Sequence, residues 1–289
     1  MRAAHPDRTG QVERDGARLG YEVFGQGEPT FLLLPTWTII HSRFWKMQVP
    51  YLARHHRVVT YDGPGNGESD RVTDPARYTV EAYAEDAAAV MDATGTDRAI
   101  AVGLSKGARY GTRLAALHPD RVLGLVLIGP AMALDKPLLE RAAIADRFYL
   151  PYPEDPEGWD KYNLAYWHDH YPDFLDYFFE QAFSEPHSTK PREDSVGWGL
   201  ETGPAVLEAE ARGPDPEVPD PEIFAQIKCP VLVIHGTKDR IQSYQVGVEA
   251  ARLGNGALVA MAGSGHIPNV RDPVKVNRLL HRFAEGLTR

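Results

Sequence analysis

Cysteine is nearly missing from this chain: Cys229 stands alone among 289 residues. No intrachain disulfide and no cysteine-built metal site is therefore open to it, and a lone thiol just before an apolar run reads as inert and buried. Long apolar runs are missing too. No stretch approaches the roughly 18 residues a membrane span requires, and the opening Met1 to Gly10 is polar, without the apolar segment of an export signal, so the cytoplasm is the expected location. Basic blocks are also absent. The 31 Lys and Arg against 40 Asp and Glu leave a net charge of −9, which argues against nucleic acid and anionic membranes as partners and in favour of a small molecule.

What is present is a globular composition, 43% hydrophobic and 10% aromatic, ample for a buried core. Polar and apolar residues alternate from Gln11 to Phe24 around Asp15-Gly16, which predicts a β-hairpin at a sheet edge. Phe31 to Leu34 is apolar throughout, as in a central strand buried on both faces. A short helix, interrupted at Pro50, is expected over Ser42 to Leu52. Strand and helix then alternate: Arg57–Tyr61, a helix over Tyr78–Thr94 with Thr79 as its N-cap, Ala99–Leu104, a helix over Ala108–Leu117, and Val122–Ile128. That order predicts an α/β fold with a mostly parallel, doubly wound sheet.

From Ala131 to Ala225 the alternation stops and aromatics, prolines and acids take over, which predicts a helical insertion lying over the rest. The sheet resumes with Val231–Ile234 and Ala257–Met261, separated by a helix over Tyr244–Leu253 and closed by one over Val274–Leu287. Residues 1–130 and 226–289 thus form the core, and 131–225 the insertion.

The chemistry concentrates at Gly103-Leu-Ser105-Lys-Gly107. A serine between glycines at a strand-to-helix turn is forced outward in a strained backbone, with the next N–H aimed at the same point. A serine hydroxyl is a poor nucleophile unless a base takes its proton and an acid orients that base. Both are available after later strands, Asp239 in His235-Gly-Thr-Lys-Asp239 and His266 in Gly265-His266-Ile-Pro268. Asp135 is a weaker rival for the acid. In a parallel sheet, the strand ends bearing Ser105, Asp239 and His266 share one edge.

Two other motifs invite chemistry and do not carry it. Asp62-Gly-Pro-Gly-Asn-Gly-Glu-Ser-Asp70 is glycine-rich, but it lacks the lysine of a phosphate loop and the spacing of a dinucleotide turn. His168 and His170 have metal-like spacing without further ligands nearby. The chain calls for neither metal nor cofactor.

The order serine, acid, histidine on a strand–turn–helix serine resembles the α/β-hydrolase fold, and the likeness spans nearly the whole chain. It implies that the insertion is a helical cap. It also places Trp37, in Pro35-Thr36-Trp37-Thr38, where the first oxyanion-hole N–H is expected, with Lys106 N–H as the second. Pro35-Thr-Trp-Thr-Ile-Ile-His-Ser-Arg-Phe-Trp-Lys46 with Asp62-Gly-Pro-Gly-Asn-Gly67 is similar to a subgroup whose members are sometimes fused to signalling or regulatory domains.

The resemblance implies a serine hydrolase cleaving an ester, lactone or thioester of a moderately large apolar or aromatic acid. Carbon–carbon bond hydrolases, amidases and acyltransferases share such a triad. Dehalogenase and epoxide chemistry is disfavoured, because those relatives carry aspartate at the Ser105 position. A non-catalytic ligand sensor is the alternative of another class. Thr36, Thr38, Tyr149, Trp167 and Trp198 are candidate substrate contacts. Lys106 and Arg109, cationic beside the nucleophile, either favour an anionic group or pair with acids.

Overall fold

The structure, a computed structural model, describes residues 4–287; the first three residues of the polar opening lie outside it. The hairpin forms as expected from β1 (Arg8–Arg14) and β2 (Ala17–Phe24), paired antiparallel. Asp15 and Gly16 turn it with φ of 47° and 72°, the doubly positive pair that matches the right-handed twist of the strands it joins.

Six further strands follow: β3 (Thr30–Leu33), β4 (Val58–Tyr61), β5 (Ala99–Leu104), β6 (Val122–Ile128), β7 (Val231–Gly236) and β8 (Ala257–Met261). The sheet order is β1-β2-β4-β3-β5-β6-β7-β8. β2 runs antiparallel to β4, and every pairing from β4 onward is parallel. β1 takes an edge and β3 lies in the middle. The chain winds outward from β3 to β4 and then back across to β5, so the winding reverses between β3 and β5. Beyond the carboxyl ends at such a reversal, parallel sheets open a crevice for ligands.

Successive residues of β3 serve opposite faces. Phe31 and Leu33 join a cluster with Val276 and Leu280 of the C-terminal helix, whereas Leu32 and Leu34 join Ala87, Met91, Leu114 and Ala250 on the other side. The latter come from α1 (Val80–Thr94), α2 (Lys106–Leu117) and α6 (Tyr244–Leu253); the C-terminal helix, α7, spans Pro273–Leu287. Thr79 Oγ1 accepts the Ala82 N–H at 2.9 Å, and Gly95 leaves α1 with φ of 68°, an N-cap and a left-handed C-cap.

Between β6 and β7 the described residues hold helices and no strand, chiefly α3 (Leu164–Ala182), α4 (Thr189–Gly199) and α5 (Pro204–Ala211). α3 is kinked at His170, just before Pro172, whose ring and missing N–H interrupt the preceding turn. Phe174, Phe178 and Phe179 of α3 belong to the same apolar cluster as Phe31 and Leu33 of the sheet.

Three expectations need correction. Ser42–Met47 is a 3₁₀ turn and Val49–Leu52 a separate α turn, so the break falls at Gln48. Pro50 belongs to the first turn of the second element, where its missing N–H costs nothing. A short helix over Pro268–Arg271, beside the His266 loop, was not anticipated. Cys229 is half-buried rather than buried, and its burial pushes the thiol up to about 11, which leaves it protonated and unreactive at neutral pH. Among the described residues no helix is long and apolar enough to cross a membrane.

Candidate active site

Ser105 directly follows β5 with φ of 56° and ψ of −120°, a conformation that costs a non-glycine residue energy unless its surroundings hold it. They do so from the end of β6 and the loop beyond it: the Ser105 N–H donates to Ile128 O at 2.9 Å, and its carbonyl accepts the Ala131 N–H at 3.1 Å. The flanking glycines are steric requirements. A Cβ on Gly103 would lie 2.1 Å from Gly107 O, and one on Gly107 would lie 2.3 Å from Pro35 O. The second contact also shows that the turns after β3 and β5 touch, at the sheet edge where the winding reverses.

His266 Nε2 lies 3.0 Å from Ser105 Oγ, and His266 Nδ1 lies 2.7 Å from Asp239 Oδ2. An ionised carboxylate only accepts, so Nδ1 carries the proton and Nε2 is left to accept from the serine hydroxyl. His266 is 3% exposed and Ser105 half-buried. Three side chains from β5, the loop after β7 and the loop after β8 thus meet in one relay. Asp135, the rival acid, instead accepts a hydrogen bond from Ser243 Oγ at 2.9 Å.

Asp239 collects further donors: the N–H groups of Ile241 (2.7 Å) and Gln242 (2.9 Å) reach Oδ1, and His235 Nε2 lies 3.0 Å from Oδ2. Burial alone would raise this carboxyl, but the charge of His266 and the hydrogen bonds from His235 and His266 outweigh it and hold Asp239 far below the usual carboxylate range. His235 was legible only as part of the His-Gly-x-x-Asp motif; its reach back to Asp239 depends on the turn that follows β7.

The Trp37 ring is buried against Tyr162, Trp167, Phe174 and Phe178, with centroids 5.0 to 6.1 Å apart. The turn after β3 is therefore packed directly onto the helices between β6 and β7. Trp167 is fully enclosed in this aromatic group. Thr36 and Thr38 are buried, and Asn66 Nδ2 of the glycine-rich turn donates to Thr38 O at 2.8 Å. Trp198 is half-buried against His41 and Lys46, and its carbonyl accepts from Asn66 at 3.3 Å. Tyr149 is exposed, with its hydroxyl donating to Ala211 O at 3.2 Å; no contact joins it to Ser105 or His266.

Of the two cations, Lys106 Nζ donates to Glu210 Oε1 at 2.8 Å and Arg109 Nε to Asp220 Oδ1 at 2.8 Å. Both pair with acids, so neither is a free positive charge awaiting an anionic group. His168 lies 2.8 Å from Glu208, whereas His170 sits against Tyr152 and Tyr166, so the two histidines face different partners. The glycine-rich turn is organised by Asp62, which accepts the N–H groups of Ser42 (2.7 Å) and Glu68 (2.9 Å). Sequence reasoning missed two glutamates from the helical segment. Glu210 is one, and Glu185 the other, its Oε1 accepting the Gly265 N–H at 2.7 Å just before His266. Neither stands in a motif, and the long-range contact that reveals each is absent from the local sequence.

Comparison with known proteins places this geometry in a family. A protein of Caulobacter segnis to which carbamate hydrolysis is provisionally ascribed, RutD, is 41% identical over 87 residues, a match spanning 30% of this chain and 33% of that protein's length. A fluoroacetate dehalogenase of a Burkholderia species is 30% identical over 90% of this chain and 88% of its own. The solved esterase RhEst1 of Rhodococcus sp. ECU1013 superposes with a TM-score of 0.78 at 26% identity, covering 97% of this chain and 98% of that one. The family model for the alpha/beta hydrolase fold matches residues 29–273. That stretch begins at the strand before the Trp37 turn and runs past His266, so the whole relay lies inside the match and the chain belongs to the alpha/beta hydrolase fold family.

Proposed function

We propose that this protein is a serine hydrolase that cleaves a carboxylic ester, lactone or thioester through an acyl-enzyme. The observation that carries the reading is the unbroken relay from Ser105 Oγ through His266 to Asp239, at 3.0 and 2.7 Å. His266 Nε2 takes the hydroxyl proton as Ser105 attacks the carbonyl, and Asp239 stabilises the imidazolium formed. The N–H groups of Trp37 and Lys106 receive the oxyanion. His266 returns its proton to the leaving group, and water then deacylates the serine by the same route.

Residues 131–225 act as the cap. Their aromatic side chains, packed around Trp37, favour an apolar or aromatic acyl group of moderate size. Lys106 is neutralised by Glu210, which supports a neutral substrate over an anionic one. The relatives also support hydrolysis: one is named for carbamates, one for fluoroacetate and one as an esterase. Serine at position 105 favours acyl transfer over displacement of halide, which needs a carboxylate nucleophile.

Ser105→Ala should lower turnover of p-nitrophenyl butyrate by about 10⁴- to 10⁶-fold with the fold intact, as removal of the nucleophile does in other serine enzymes. Undiminished turnover in that variant would sink the assignment.

A further inference from the structure

Glu210 belongs to α5, in the segment between β6 and β7, yet its side chain ends beside the Ser105 turn and is only 3% exposed. Oε2 accepts the Thr38 hydroxyl at 2.6 Å and the Thr38 N–H at 3.3 Å. Oε1 accepts from Lys106 Nζ at 2.8 Å and from the Tyr110 hydroxyl at 3.3 Å. Thr38 follows Trp37 and Lys106 follows Ser105, so a single carboxylate from the helical segment grips both turns that carry the proposed oxyanion donors. Oxyanion stabilisation depends on donors held in place before charge develops, and this brace supplies the holding.

The brace brings an electrostatic liability. A buried carboxylate bonded to the residue after one donor, Thr38, and to the side chain of the residue that supplies the other, Lys106, opposes negative charge developing on the substrate oxygen, and low-dielectric surroundings strengthen that opposition. Lys106 answers it. Its ammonium lies on Glu210 and over the Trp37 ring, 5.5 Å from the centroid, so a positive charge sits directly on the carboxylate.

We propose that Glu210 is a positioning residue that aligns the two oxyanion donors from the cap, and that Lys106 cancels its charge so that the alignment does not weaken the hole. The inference rests on the serine-hydrolase reading with Trp37 and Lys106 as donors. It deepens that reading by making the cap a structural part of the oxyanion hole.

The test compares wild type, Lys106→Met, Glu210→Gln and the double variant. The readouts are kcat and KM on p-nitrophenyl butyrate, affinity for phenylethyl trifluoromethyl ketone, which forms a hemiketal oxyanion on serine, and urea midpoints to confirm folding. Lys106→Met leaves the carboxylate uncompensated, and kcat should fall about 10²-fold, the scale of a lost oxyanion donor, with KM moving by less than about threefold. Trifluoromethyl ketone affinity should fall in step with kcat. Glu210→Gln keeps an acceptor for Thr38 and should lose about tenfold, and the double variant should recover most of the Lys106→Met loss.

Unchanged kcat in folded Lys106→Met and Glu210→Gln overturns the inference. So does a kcat loss without matching loss of trifluoromethyl ketone affinity. A fluorophosphonate probe separates the layers: a wild type unlabelled at Ser105 fails the serine-hydrolase reading, whereas a labelled, active wild type with insensitive variants fails this inference alone.

Discussion

Asp239 places a buried negative charge behind His266. Four donors converge on a fully buried carboxylate, matching its roughly four acceptor positions. Its carboxyl is held far below the ordinary range in the folded state. Its stabilising contribution is therefore fully present above the unfolded carboxylate pKa of about 3.9 and is lost as pH falls below that value toward the folded pKa, because the unfolded chain takes up a proton that the folded site resists. Asp239→Asn should lower kcat about 10⁴-fold by disturbing the His266 tautomer and reduce the urea midpoint at pH 7. Its midpoint should also decline less steeply than that of wild type between about pH 5 and 3. Parallel declines would show that Asp239 is not the linked group. His235→Ala removes one donor and should give a smaller effect of the same sign, about tenfold in kcat.

At the scale of the element, α1 and the turn after β5 show how far local pattern reaches. Thr79 was legible as an N-cap because a threonine precedes an amphipathic run that ends at glycine, and the structure closes that helix as expected. Thr79→Ala should cost about 1 kcal/mol by urea denaturation with kcat unchanged; a loss near zero would mean that solvent satisfies the Ala82 N–H equally well. The Ser105 turn was legible for a similar reason, since the contacts that exclude a side chain at Gly103 come from its own turn, although those at Gly107 come from Pro35 and Thr36 in the turn after β3. Pro50 was misread because proline is both a helix breaker and a favoured first-turn residue, and position within the turn decides which role applies.

For the whole molecule, the helices between β6 and β7 and the sheet are not separate bodies. Phe174, Phe178 and Trp37 share one buried cluster with Phe31, Leu33 and Ile100, so apolar contact runs from the centre of the sheet into α3. Phe174 is fully buried, and Phe174→Ala should cost about 3–5 kcal/mol. Tryptophan fluorescence, which senses Trp159, Trp167 and Trp198 in the helical segment together with Trp37 and Trp45 outside it, should then give the same unfolding midpoint as far-ultraviolet circular dichroism, which senses the whole fold. A segment that melts first would separate the two midpoints.

The alternation of strands and helices, the glycine-flanked serine and the acid and histidine after later strands are all properties of neighbouring residues and of chain order. The sequence by itself therefore determined the mostly parallel sheet and that Ser105, His266 and Asp239 come within hydrogen-bonding distance at one of its edges. Tertiary structure alone decided what faces that edge. Glu210 reaches Thr38 across 172 positions and Lys106 across 104, and Glu185 reaches Gly265 across 80. The packing of Trp37 against α3, like these reaches, follows from how helices without a strand partner settle on the sheet. That settling is governed by shape and burial summed over many residues, with no local spacing that a motif could record.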